Sequence, residues 1–372
     1  NVRIAETDGN MYVKRVESLT GDVDLKAHMA ILDANNDPAA DVFGNSVRLT
    51  ATLGTIGMTG NDLDIDTARH GTGSLSASSF LNTYLIETAG DLSLDTVSTT
   101  AGYTAFIAAP DGSILNGRAS GSNVLSGKTY LVARNDIGQA GKPLSTTVGN
   151  IEGKSITGST WISNAGALVQ GGVIESGDPG IIAGGSIQVI ASSPITIAED
   201  AVATGAISYW GQEASPGAPG DDVTVVAGVR VESLTSGVDL IAGDNLNIQA
   251  GATVRAATRV RLYGDYASTD PGVGSIMTIN GSVRAPQIEI YGGPDADTIT
   301  VDMSTPGNTL VGPTVIFGGA SDDLITVTRL NSRTDTLDID GQGGADRYVV
   351  NITGGNTAYL INVFDTGSDA GA

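Results

Sequence analysis

The residue types able to do chemistry in this chain are mostly acidic. Aspartates recur at alternate positions, as at Asp62, Asp64 and Asp66 and again at Asp338 and Asp340. That spacing puts two or three carboxylates on one outer face of an extended segment. Such a face is either a cation-binding ladder or a solvated acidic surface. Like charges directly opposite on neighbouring strands destabilise, so offset stacking or bound cations are expected, with the solvated face the simpler account. Adjacent pairs stand at Asp221-Asp222 and Asp322-Asp323. A glycosidase needs its two carboxylates about 5 Å or about 6.5–9.5 Å apart across one bond. Neither pair is accompanied by the His, Lys and aromatic cluster that shapes a sugar cleft, so no enzyme activity is expected. Tyr209 and Trp210 open a segment, residues 208–222, with two prolines and three glycines. Its composition predicts a projecting loop, on which both rings are candidates for ligand or partner contact. His28 and His70 are isolated, and a surface or turn role is expected for each.

The elements that must carry these residues follow from periodicity. Apolar and polar residues alternate in Gly21–Ala27, Asn45–Ala51, Asn61–Thr67, Asp221–Ala227, Asn245–Ala250 and Thr336–Asp340. Alternation puts Val23, Leu25 and Ala27 on one face and Asp22, Asp24 and Lys26 on the other. Gly, Asn, Asp, Ser and Pro separate the segments. No segment has a capped apolar stripe of period 3.6. The chain reads as all-β, with nearly no α-helix.

Internal repetition selects among all-β folds. Glu6-Thr-Asp-Gly-Asn-Met-Tyr-Val13 returns 81 residues later as Glu87-Thr-Ala-Gly-Asp-Leu-Ser-Leu94, and Ile56–Leu63 returns at the same offset as Ile137–Leu144. Ala30-Ile-Leu-Asp33 matches Ser113-Ile-Leu-Asn116 at a slightly longer offset, so length changes fall in turns. Val16-Glu-Ser-Leu-Thr also returns at Val231–Thr235. Duplication of a unit holding several strands fits a solenoid, in which each coil covers the next. Stacked β-sandwiches are the alternative, but sandwiches bury large aromatics, and this chain has five Phe and two Trp among 372 residues. A parallel β-helix of some 15 coils of about 22–26 residues is the expected fold. Its organisation reads as two 81-residue units over 1–165, a stretch with the projecting loop over 166–290, and glycine- and aspartate-rich turns over 291–372.

Composition narrows function. No cysteine is present, which removes disulfide frameworks, cysteine-ligated metals and thiol nucleophiles. Acids outnumber bases 41 to 19, 32 of them aspartate, for a net charge of −22. Nucleic acid is therefore not an expected partner. No apolar run is long enough for a membrane-spanning helix.

Three nonapeptides, Gly292–Thr300, Gly318–Thr326 and Gly341–Val349, place paired or near-paired glycines before an aspartate. They resemble the calcium-binding RTX repeat Gly-Gly-x-Gly-x-Asp-x-apolar-x. The resemblance implies Ca2+ held by Asp297, Asp323 and Asp346. Asp295 and Ser321 replace the fourth glycine and Gln342 the second. The copies lie a full coil apart rather than nine residues apart, so any stacking falls on successive coils.

More widely, Glu87–Val97, Gly112–Leu115, Asn135–Gly138 with Pro143-Leu144, Trp161–Leu168 and Asp338–Val349 resemble the repeat regions of large secreted bacterial exoproteins. These are of the filamentous-haemagglutinin-like and RTX-containing adhesin type. The resemblance implies export, a cell-surface or extracellular-matrix location, and a stiff rod with surface glycans or matrix polysaccharide as partners. The chain opens at Asn1 and ends in a polar tail, which reads as a piece of a larger or processed protein. Its end coils are expected to meet the rest of a longer chain or to stack on another copy. A subunit of a self-assembling extracellular filament or surface layer is the competing reading.

Overall fold

The computed structural model describes residues 1–372 except 69, 70, 72, 174–179, 193, 214–219, 268, 269, 331–334, 353–357 and 368–372. Among the described residues all regular elements are strands, and no helix occurs. The chain forms a parallel β-solenoid, as the alternation predicts. It divides into two compact units, the first Asn1–Gly166 with Gly171–Gly185 and the second Ala167–Gln170 with Ser186–Ala372.

In the first unit, strand Val23–Ala27 pairs in parallel with Val2–Glu6 on one side and Val47–Ala51 on the other. The register places Val23, Leu25 and Ala27 beside Val47, Leu49 and Ala51, and all six are buried. Leu75–Ser79 continues the same column. The 81-residue repeat is visible as matching tight turns. Met58 bridges Asn61, and Gln139 bridges Lys142. Gly60 and Gly141 both sit at φ 76°, a left-handed conformation that L side chains seldom adopt.

In the second unit each coil as far as Val311 contributes three strands, and two faces continue beyond it among the described residues. One face stacks Ile187–Ala191, Ile207–Gly211, Val238–Ala242, Val260–Tyr263, Ile288–Gly293, Thr314–Gly319, Thr336–Gln342 and Leu360–Phe364. A second runs from Leu168–Gln170 through Ile195–Ile197, Val223–Val225, Leu246–Ile248, Ile276–Ile279, Thr298–Asp302 and Leu324–Thr328 to Arg347–Asn351. The third stacks Ala201–Ala203, Arg230–Ser233, Thr253–Ala256, Ser282–Arg284 and Leu310–Val311. Inward positions are filled mainly by Ile, Val, Leu and Ala in unbroken columns, such as Val223, Leu246, Met277, Ile299 and Ile325. Small and branched residues suit this interior because each must fit between similar neighbours roughly 4.8 Å above and below.

Candidate functional site

The glycine–aspartate turns of the second unit form a hydrogen-bonded corner. Two residues before the aligned positions Val223, Leu246, Met277, Ile299, Ile325 and Tyr348 of the second face, register places Asp221, Asp244, Ser275, Asp297, Asp323 and Asp346. Asp297 Oδ1 accepts from the Ser275 backbone N–H at 2.6 Å and from its hydroxyl at 2.8 Å. Asp323 Oδ1 accepts from the Asp297 N–H at 2.7 Å, and Asp346 Oδ1 from the Asp323 N–H at 2.9 Å. Asp244 Oδ2 does the same for the Asp221 N–H at 2.7 Å. Asp244, Asp297, Asp323 and Asp346 therefore each satisfy the amide that the preceding coil exposes on entering its strand. The glycine five residues earlier is needed for space. A Cβ at Gly292 or Gly318 would fall against the carboxylate of Asp297 or Asp323.

The expected metal aspartates thus stack, one per coil, as a ladder, and do not converge as a triad. Asp297 and Asp323 are buried, and each keeps a buried Oδ2 without a hydrogen-bond partner. Burial pushes their carboxyls up, to about 6 and about 7. The adjacent acids serve the next coil as well: Asp322 Oδ1 accepts from Ala345 N–H and Asp222 Oδ1 from the Asn245 side-chain amide, both at 2.8 Å. Asp338 accepts from the Asn362 amide at 2.8 Å, and Asp340 Oδ2 from the Thr366 hydroxyl at 2.7 Å.

Tyr209 and Trp210 correct the expectation of two rings on a projecting loop. Both lie in strand Ile207–Gly211, whose alternation turns Tyr209 inward and Trp210 outward. Tyr209 is fully buried, and its hydroxyl donates to Gln170 Oε1, so it cannot be a contact residue. Gln170 Nε2 in turn donates to the Glu199 and Asp200 carbonyls at 2.9 and 3.0 Å. Trp210 is half-buried and meets Tyr266 edge-on, with centroids 5.9 Å apart. Residues 214–219 of the expected loop lie outside the described residues, as does His70. His28 is exposed on the surface. The outward rings of Tyr263, Tyr291 and Phe317 stack at 4.7 and 5.1 Å on successive coils. Their facing surfaces cover one another, which stabilises the sheet.

Among the described residues, two carboxylate triads do converge. In the second unit, Glu213, Asp221 and Asp244 bring ligand atoms within 4.8 Å of one another, beside residues outside the described set. In the first unit, Asp33, Asp41 and Asp64 do so with every neighbouring residue described. Asp33 ends strand Ile31–Asp33, and Asp41 immediately precedes Val42–Phe43 on the same coil. Asp64 lies in Leu63–Asp66, one coil on, and register sets it beside Asp41. All three are buried, at 4%, 2% and 6% exposure. Asp33 accepts from the Asn35 and Asn36 amides at 2.7 and 2.6 Å. Asp41 Oδ2 is buried without a partner. Desolvation, reinforced by the neighbouring Asp33 charge, raises Asp41 and Asp64 each to about 7.

No ion pair among the described residues involves the triad. Arg15, set beside Asp41 by register, is held away by Glu17 at 2.7 Å and lies over the Phe43 ring. A surface groove of about 490 Å³, lined by Asp37, Asp62, Asp64 and Asp111 among others, borders the triad. Alternation in Asn61–Thr67 flagged Asp64, but nothing local linked it to Asp33 and Asp41. The one available signal was the repeat, which pairs Asp33 with Asn116. Set beside known protein families, curated proteins and solved structures, the chain matches none of them.

Proposed function

We propose that the chain is a structural and adhesive segment of a secreted bacterial surface or extracellular-matrix protein. The observation that supports it is the unbroken parallel register of each unit over columns of small aliphatics. Such stacking makes each unit stiff, because no strand can leave without exposing the coils on both sides of it. It also repeats outward side chains at fixed intervals, a basis for many weak, simultaneous contacts to cell-surface glycans or matrix polysaccharide. Calcium at the glycine–aspartate turns belongs to the same proposal, since the unpartnered Oδ2 atoms of Asp297 and Asp323 are suited to a cation. The test is retention of chain-coated beads on immobilised bacterial surface polysaccharides, against beads coated with an unrelated acidic protein. Retention above that control is expected. Equal retention, or release of reducing ends or unsaturated sugars from the polysaccharide, overturns the reading.

Self-association end to end is a second reading. Its support is the exposed apolar side chains among the first strands of the first unit, Tyr12 and Leu19, and of the last strand of the second, Leu360, Val363 and Phe364. Sedimentation velocity over a hundredfold concentration range tests it. A concentration-independent monomer overturns it.

A further inference from the structure

We infer that Asp33, Asp41 and Asp64 form a binding site for a hard divalent cation, calcium in particular. The second 81-residue unit supplies the comparison. There the positions of Asp33, Asp41 and Asp64 are taken by Asn116, Asn123 and Ser145. The backbone is the same in both copies: Asp41 N–H donates to the Asp64 carbonyl at 2.8 Å, and Asn123 N–H to the Ser145 carbonyl at 2.7 Å. The turn is also the same, with Asp33 Oδ1 accepting from the Asn35 N–H and Asn116 Oδ1 from the Arg118 N–H.

The two corners differ in what holds them shut. In the second copy, Asn123 Nδ2 donates to the Leu94 carbonyl at 2.8 Å and to Asn116 Oδ1 at 3.0 Å. Its Oδ1 accepts from the Ser145 N–H at 3.0 Å. Every contact pairs a donor with an acceptor. In the first copy the amide is a carboxylate, which has no hydrogen to give when ionised. Asp41 keeps that place with a buried, unpartnered Oδ2, and the side chain it would face, Asp33, is another acceptor. Backbone amides satisfy Asp33 from the turn side, but no side-chain donor reaches the buried Asp41 Oδ2 that faces it, so a positive charge is needed between the carboxylates, and Arg15 is engaged elsewhere.

The donor set selects the ion. All three ligands are carboxylate oxygens, which suit calcium or magnesium rather than a softer metal. A cage with one ligand from a strand end, one from a strand start and one from the next coil is irregular. Calcium tolerates irregular oxygen cages better than magnesium, which demands an octahedron. The groove beside Asp64 admits the ion and leaves room for waters to complete its shell. Asp37 and Asp62 add negative potential at that entrance.

The experiment transplants the neutral corner. Calorimetric titration of the metal-stripped chain with calcium chloride at pH 7.5 is compared with Asp33→Asn/Asp41→Asn/Asp64→Ser, which gives the first copy the second copy's residues. The parent chain is expected to bind one more calcium than the variant, or to bind at that site about tenfold or more tightly. Its melting temperature is expected to rise further with calcium than the variant's. In EDTA the variant is expected to melt at or above the parent chain. Equal calcium stoichiometry and affinity in the two chains overturns the site, as does absence of binding by the parent chain, which would leave a proton as the shared charge. Should the triple variant fail to fold by circular dichroism, Asp41→Asn alone is titrated under the same criteria.

Discussion

At the scale of single residues, aspartate in this chain acts as a backbone acceptor that reaches across coils. Asp297 binds both the amide and the hydroxyl of Ser275. Replacing it by alanine leaves buried donors unpaired, and a loss of about 1–3 kcal/mol is expected in denaturant titrations. Asn at the same position keeps an acceptor and should lose much less. Gly318 is the complementary test. A Cβ there would meet the Asp323 carboxylate and the Gly341 carbonyl, so Gly318→Ala is expected to cost about 1–3 kcal/mol through overpacking. Tyr209 gives a third case. Burial holds its hydroxyl well above the usual phenol range, and it donates to Gln170. Tyr209→Phe strands the Gln170 acceptor in the core and should lower the melting temperature, whereas substituting Trp210, on the outer face, should matter less. Equal effects of the two changes would contradict the placement of the rings.

At the scale of elements, a strand here is stabilised mainly by what lies on the coils above and below. Ile299 sits between Met277 and Ile325, all three fully buried. Truncating Ile299 to alanine should cost about 2–5 kcal/mol, measured by urea titration, because neighbouring coils are hydrogen-bonded in place and cannot collapse into the gap. The outward ring stack Tyr263–Tyr291–Phe317 makes the same argument on the other face. Tyr291→Ala breaks two ring pairs worth about 0.5–1.5 kcal/mol each, so its effect should exceed that of Phe317→Ala, which breaks one.

At the scale of the whole molecule, acidity and burial act together. Asp41, Asp64, Asp265 and Asp323 are pushed up to about 7 and Glu87 to about 8, in each case chiefly by desolvation. The facing charges are acidic too: Asp33 and Asp37 for Asp41, Asp297 and Asp270 for Asp265, and Asp66 for Glu87. A carboxyl whose folded value lies above its unfolded value stabilises the protonated folded chain. That contribution is complete below about pH 4 and is lost as pH rises toward about 8. In EDTA the chain is therefore expected to melt at a lower temperature at pH 8 than at pH 5. A melting temperature that climbs over that interval would contradict the buried placement of these groups. Divalent cation should reverse part of the loss at neutral pH, where the carboxylates are ionised and can bind it.

The fold was legible because period-2 alternation and an 81-residue repeat are local or linear signals. Val23, Leu25 and Ala27 had to share a face, and a duplicated multistrand unit had to stack. Gly60 and Gly141 could be placed as equivalent turns from the repeat alone. The position of Tyr209 was not legible, since a segment rich in proline and glycine reads as a loop even where its first residues, Ile207–Gly211, continue a strand. The aspartates of the glycine-rich turns could be named from the sequence, but their ladder of amide contacts depends on the stagger between coils. The triad is the clearest division. Sequence alone determined that Asp33 carries a carboxyl where the second repeat carries the amide of Asn116. Only the tertiary structure decided that Asp33, Asp41 and Asp64 meet, because coil length and strand register, rather than separation along the chain, set which corners touch.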